Sequence, residues 1–234
     1  MSPNVYCPKN YSSVTADLAA VAMGKLPADL IIRNGKLVNV NVGCIQDGMD
    51  VAVKHGFIVY VGKDSEQKIK TDANTTIVDA KGRYLVPGLI DSHMHIESSM
   101  VDPRNLVKGL IPHGSTTICP DNHEITNVLG LEAVELFHKA LADLPVKSFL
   151  AMPVCVPAVK GFEDTGAEIY AEDVQKAYDE GWAQLQGEQM NFVGVIHGDE
   201  QVHKIIKTSL DAGMILTGHY SSGDLDQGLN AFAS

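Results

Sequence analysis

Apolar and polar positions follow two different rhythms along this chain, and the change falls at Pro87-Gly88. Residues 11–25 (YSSVTADLAAVAMGK) place Leu18, Val21 and Ala22 at helical spacing, so a short helix is predicted, ended by Pro27. Residues 29–40 (DLIIRNGKLVNV) put two β-rich runs around Asn34-Gly35, a pair that tolerates the positive φ angles of a type I′ turn. The spacing predicts a hairpin there. A second pair of strands is predicted at Val51–Val53 and Phe57–Val61, turning at His55-Gly56. Thr76–Asp79 and Arg83–Val86 add more strand, with Gly82 as the break. Short strands at this spacing predict a small β-sandwich or barrel.

After Gly88 strands and helices alternate. Strands are predicted at Leu89–Asp91, Ser115–Cys119 and Lys147–Met152, then one ending near Glu188, then Met214–Thr217. Helices are predicted over 103–113, 126–142, 171–182, 199–212 and 223–233. This rhythm implies a parallel sheet with helices outside, either doubly wound or a barrel. The expected organisation is an N-terminal helical arm over 1–27, a small β-sandwich domain over 28–87, and an α/β domain over 88–234.

Composition narrows the partners. With 18 basic and 29 acidic residues the formal charge is −11, which repels phosphate backbones and anionic lipid. No nucleic-acid or membrane partner is expected, and a neutral or cationic small molecule is favoured. Cys7, Cys44, Cys119 and Cys155 are widely spaced, with no C-x-x-C pair, which fits a reducing cytoplasm. No leader-like segment and no run of ~18 apolar residues is found, so a cytoplasmic protein is expected.

The sharpest chemical signal is His93-Met94-His95, directly after the apolar strand. In extended backbone, residues i and i+2 point the same way, so both imidazoles can converge on one metal ion. In a parallel barrel the C-terminal strand ends carry catalytic groups. The competing reading is two unrelated surface histidines. His113, His138, His197 and His203 fall away from strand ends and read as structural or solvated.

The run Pro87-Gly88-Leu89-Ile90-Asp91-Ser92-His93-Met94-His95 resembles the first-strand signature of the amidohydrolase superfamily, P-G-x-[IV]-D-x-H-x-H. Further segments resemble the adenine deaminase family within it. They are His95-Ile96-Glu97-Ser98-Ser99-Met100, Asp121-Asn122-His123-Glu124-Ile125, Val156-Pro157-Ala158 and Glu188-Gln189-Met190-Asn191-Phe192. The opening Ala28-Asp29-Leu30-Ile31-Ile32-Arg33-Asn34-Gly35 is similar as well. The chain departs from the family pattern at Asn122, at Thr126, and at Tyr220-Ser221-Ser222 after Gly218-His219. These departures fall beside presumed site residues and bear on the substrate more than on the metal.

The resemblance implies a (β/α)₈ barrel of the metallo-dependent hydrolase type, of which this chain is expected to carry about five β/α units and to stop before closure. It implies His93, His95, Glu188 and His219 as metal ligands, with Glu188 and His219 also catalytic. Glu188 would bridge two cations where many relatives use a modified lysine. Glu97, Ser98, Asp121, His123 and Glu124 are candidates for substrate contact or for supporting the ligands. Asp121, His123 and Glu124 could hold a further metal, orient the histidines, or touch the purine, while Asp121 or Asn122 could instead cap a helix. The implied cofactor is a divalent metal, Mn²⁺ or Fe²⁺ ahead of Zn²⁺, with two ions in the complete enzyme. The implied reaction is hydrolytic deamination of adenine to hypoxanthine and ammonia in purine salvage, with a homo-oligomer as the default assembly. The rival readings are an amidohydrolase acting on another heterocycle or a cyclic amide, and a catalytically silent fragment that only binds partners.

Overall fold

The computed structural model describes residues 11–234; Cys7 and the rest of residues 1–10 lie outside the described residues. The chain divides into two compact units that meet in sequence between Pro87 and Gly88.

The first unit holds α1 (Tyr11–Ala22), β1 (Leu30–Asn39), β2 (Cys44–Lys54), β3 (Phe57–Gly62), α2 (Ser65–Lys68), β4 (Thr76–Asp79) and β5 (Tyr84–Leu85). Its strands form one five-stranded sheet in the order β3-β2-β1-β4, with β5 also on β1. The expectation of a β-sandwich is corrected here. β4 and β5 both add in parallel along the long β1, pairing Ile31 with Ile77 and Leu37 with Leu85, instead of starting a second layer. The expected hairpin at Asn34-Gly35 is also corrected. β1 runs through that pair and turns only after Asn39, pairing antiparallel with β2 over Leu30–Asn39. Asn34 does adopt a positive φ of 59°, but as a bulge where the register slips between Ile32 and Gly35. Its N–H donates to Asp50 Oδ1 at 3.0 Å, while the Ser65 N–H donates to Asp50 Oδ2 at 2.9 Å. A Cβ on Gly35 would lie 2.2 Å from the Leu85 side chain, so the bulge needs glycine for close approach as well. The turn at His55-Gly56 forms where expected, with both φ angles positive. Val21 of α1 joins Ala28, Ile31, Ala52 and Ile69 in this unit's core.

The second unit begins with β6 (Leu89–Met94), α3 (Pro103–Leu110), β7 (Ser115–Pro120), α4 (His123–Leu129) and α5 (Leu131–Leu141). It continues with β8 (Lys147–Ser148), β9 (Ala151–Met152), α6 (Ala171–Asp179), β10 (Leu185–Gln186) and β11 (Glu188–Gln189). α7 (Phe192–His197), α8 (Glu200–Asp211), β12 (Thr217–Gly218) and α9 (Gln227–Ala233) complete it. All its strand pairs are parallel: β6-β7-β8, β9 with β10, and β11 with β12. A parallel bridge from Asp121 to Ala151 carries pairing from the end of β7 to β9. The helix expected over 126–142 starts earlier, at His123, and breaks at Gly130 into α4 and α5. That early start places His123 and Glu124 in the first turn of α4. The helix α7 had no signal in the periodicity.

The helices lie on the strands by regular apolar stripes. α6 buries Ala171, Val174, Ala177 and Tyr178, and α8 buries Val202, Ile205 and Ser209, at spacings of three and four. They close on a core that includes Ile96, Ile118, Val134, Leu150 and Met152. Each such buried aliphatic contributes about 1.5–3 kcal/mol. Asp102 starts α3 by accepting the N–H groups of Arg104 and Asn105, ahead of Pro103. No helix among the described residues is long and apolar enough to cross a membrane.

Tyr178 links α6 to α8 through Ser209 Oγ at 3.0 Å. Burial pushes its phenol up to about 12. The unfolded phenol ionises near its ordinary value of about 10 and sheds its proton first. Stability from this group is therefore full below about pH 10 and is lost towards about pH 12, at roughly 1.4 kcal/mol per pH unit. Tyr178→Phe is expected to flatten that fall in urea melts taken across the alkaline range. Equal slopes for both proteins would refute the assignment.

Candidate metal centre

The site lies within the second unit, at the C-terminal ends of its parallel strands. β6 delivers His93 and is followed at once by His95; β10 and β11, broken only at Gly187, form one run that ends with Glu188 and Gln189; His219 follows β12. Glu188 is 7 % exposed and sits at the centre. Its Oε2 lies 3.2 Å from His93 Nε2 and 2.5 Å from His219 Nε2. Its Oε1 lies 3.5 Å from His95 Nε2. The rings of His93 and His95 stand 4.9 Å apart, nearly perpendicular, so the i, i+2 spacing does turn both towards one carboxylate. One donor atom each from His93, Glu188 and His219 falls within 4.8 Å of the others.

Glu124 stands behind the ring of His95: its Oε2 lies 3.2 Å from Nδ1, which is buried without a hydrogen-bond partner among the described atoms, and Ser98 Oγ donates to Glu124 Oε1 at 2.8 Å. Burial works against the charged form of His95, but the carboxylates of Glu124, Glu188 and Asp121 outweigh it and raise its pKa above the ordinary value. Glu97 follows β6 and accepts the Ile125 N–H at 3.2 Å, inside the first turn of α4. Its pKa is raised by burial, with the Glu124 charge adding to the shift. Glu97 therefore does the capping that the sequence left open to Asp121 or Asn122. Asn122 occupies the N-cap position, but its side chain makes no cap bond.

Asp121 has no exposed surface. Its Oδ2 accepts the N–H of Glu188 at 2.8 Å, while Oδ1 has no hydrogen-bond partner among the described atoms. Burial raises its pKa, and the nearby Glu188 charge adds to that. His123 Nδ1 is also buried without a hydrogen-bond partner among the described atoms. His113, His138, His197 and His203 are not brought here; His203 pairs with the Val195 carbonyl at 2.9 Å. No sequence signal pointed to Cys155, which is 2 % exposed and accepts the Met190 N–H at 3.1 Å beside the site. Burial pushes its thiol up to about 11, so it stays protonated and inert at neutral pH.

Among the described residues no lysine or arginine ion-pairs with Glu188. A buried carboxylate needs a compensating charge or hydrogen bonds. Here imidazole nitrogens converge on it from three directions, a mixed N/O donor set that fits a divalent transition metal.

The amidohydrolase family profile matches residues 84–232, which span the whole of this site. The chain belongs to the amidohydrolase family. Over 227 residues it is 44% identical to an adenine deaminase of Ruegeria sp. (strain TM1040), covering 96% of this chain and 37% of that protein. It is likewise 44% identical over 225 residues to an adenine deaminase of Moorella thermoacetica, covering 95% of this chain and 37% of the other. The chain thus spans little more than a third of the length of these curated relatives. Among solved structures it resembles a molinate hydrolase, with a TM-score of 0.55 at 19% identity over 88% of this chain and 56% of that one. It also resembles an atrazine chlorohydrolase of Arthrobacter aurescens TC1 crystallised with zinc and atraton, with a TM-score of 0.55 at 15% identity over 87% and 56%. At that identity these two likenesses speak for the fold alone.

Proposed function

We propose that the protein is an adenine deaminase, converting adenine to hypoxanthine and ammonia at a divalent-metal centre held by His93, His95, Glu188 and His219. The observation that carries this is Glu188, buried with its two oxygens turned to different histidines. That arrangement fits a carboxylate that would be shared within a divalent-metal centre; three imidazoles and one carboxylate suit Mn²⁺, Fe²⁺ and Zn²⁺ alike, and it is the family resemblance that puts Mn²⁺ or Fe²⁺ first. The run of parallel strands from β6 to β12 supports a (β/α)₈ barrel, with the site at its C-terminal face. The unlinked Cys44, Cys119 and Cys155 support a cytoplasmic setting.

A bound divalent ion supplies Lewis acidity, which brings the pKa of water from 15.7 to about 7. The chain's own residues do the rest. Glu124, 3.2 Å from His95 Nδ1, is placed to take that nitrogen's proton in a loaded centre, which would leave Nε2 free to face Glu188. Ser98 fixes Glu124 for that task. Glu188 would orient the nucleophilic water by its charge, and His219 keeps about half its side chain open to solvent, on a side from which substrate would reach it. Glu124 is exposed enough to contact the purine, and a carboxylate there can carry a proton towards the departing amine.

A second reading, deamination of a different heterocycle, is favoured by one observation. Tyr220, where the sequence departs from the family pattern, packs its ring 5.2 Å from Phe192 and 5.7 Å from Phe232 directly after His219. That departure stands next to a candidate ligand, where it bears on substrate fit. The test is ammonia release from adenine and from a heterocycle panel by Mn²⁺-loaded protein, with hypoxanthine read by chromatography. Whatever the absolute rate, adenine is expected to be preferred over the rest of the panel. Turnover of another heterocycle with adenine untouched would overturn the adenine reading.

A further inference from the structure

Asp121 stands where three strand ends meet. Its backbone N–H donates to the Met94 carbonyl at 2.8 Å, and Met94 lies between His93 and His95. Its backbone also bridges in parallel to Ala151, at the start of β9. Its side chain crosses to β11 and accepts the Glu188 N–H at 2.8 Å. The crossing depends on Gly187, whose N–H donates to the Met152 carbonyl at 2.7 Å. A Cβ at Gly187 would lie 2.4 Å from Asp121 Oδ2 and 2.7 Å from Met152 O, so no side chain fits there.

We infer that Asp121 is a positioning residue that sets the placement of Glu188 relative to His93 and His95. One residue ties both ligand-bearing strand ends: the β6 end through its backbone, and the β11 end through its carboxylate. A ligand must be held within a fraction of an ångström, and two-residue strands such as β11 do not supply that stiffness alone. A purine-contact role is disfavoured because Asp121 has no exposed surface. A ligand role would have to use Oδ1, since Oδ2 is taken by the Glu188 N–H. The inference rests on Glu188 being a metal ligand.

The two roles separate by substitution. Asp121→Asn keeps an oxygen for the Glu188 N–H but puts an amide nitrogen, which cannot ligate, at the Oδ1 position. Asp121→Ala removes the tie altogether, and Gly187→Ala displaces it. Mn²⁺ affinity by titration calorimetry and the visible spectrum of the Co²⁺-loaded protein are the readouts, with Glu188→Gln as the reference. Asp121→Asn is expected to stay within about threefold of wild type with an unaltered Co²⁺ spectrum, while Asp121→Ala and Gly187→Ala weaken binding by about tenfold or more and change the spectrum. Where Asp121→Ala fails to fold, Gly187→Ala carries the positioning arm and Asp121→Asn the ligation arm, and unchanged affinity and spectrum in a folded Gly187→Ala overturn positioning. A loss in Asp121→Asn as large as that in Glu188→Gln would overturn the inference in favour of direct ligation. Unchanged affinity and spectrum in a folded Asp121→Ala, with Glu188→Gln impaired, would overturn positioning alone. Unchanged affinity in Glu188→Gln would overturn the ligand reading on which both stand.

Discussion

Replacing His93 and His95 together with alanine is expected to abolish stoichiometric metal and, with it, deamination. Both rings face Glu188, at 3.2 Å and 3.5 Å, from a single strand end. Removing them leaves only Glu188 and His219 of the proposed set, and two ligands hold a divalent ion poorly against water. The ion's transition-state contribution is worth several kcal/mol, so activity is expected to fall on the order of 10³-fold or more. The fold should survive. Both imidazoles are partly exposed, and the nearby core rests on Ile96 and Ile118, which the change does not touch. The check is elemental analysis after dialysis, beside a thermal melt. A folded double variant that retains a full metal complement would sink the assignment of this pair.

The same residues show what the sequence could and could not reveal. The i, i+2 spacing of His93 and His95 after an apolar strand was legible, because a strand end imposes a period of two whatever surrounds it. Asn34-Gly35 was legible only in part. The pair does signal positive φ, but a bulge uses the same backbone preference as a hairpin turn, and the partner strand decides between them. The helix over α4 and α5 read as one because its apolar stripe continues across Gly130. Least legible were the supports of the site. The Asp121 carboxylate meets the Glu188 N–H across 67 residues, and the Glu97 carboxylate meets the Ile125 N–H across 28. Nothing local marks either bond. Asp121 and Asn122 carry the composition of a helix cap, yet the cap comes from Glu97 on the preceding strand's loop. Composition and periodicity report what a segment does with its own backbone, whereas these contacts depend on how strands far apart in sequence are stacked.

Glu188→Gln tests the centre at its most buried point. Glutamine has nearly the same shape, so packing is preserved and the Glu188 N–H remains free to donate to Asp121. What changes is charge and ligating power. One oxygen becomes an amide nitrogen, which cannot bind a cation and faces histidine Nε2 atoms with a donor. The other oxygen is neutral and cannot bridge two ions effectively. Changes to groups that only support a ligand already cost about 10–100-fold in metal affinity, so loss of the proposed central ligand is expected to cost about 100-fold or more. Stability should move the other way in metal-free protein. The Glu188 charge disfavours ionisation of the buried Asp121, and that repulsion disappears with the substitution. The metal-free variant is therefore expected to melt at or above the metal-free wild type, while Mn²⁺ raises the melting temperature of wild type only. Calorimetric titration with Mn²⁺ and paired melts with and without the ion are sufficient. Equal Mn²⁺ affinity in both proteins would show that Glu188 is a buried carboxylate satisfied by histidines alone, and the metal centre would have to be sought elsewhere among the strand ends.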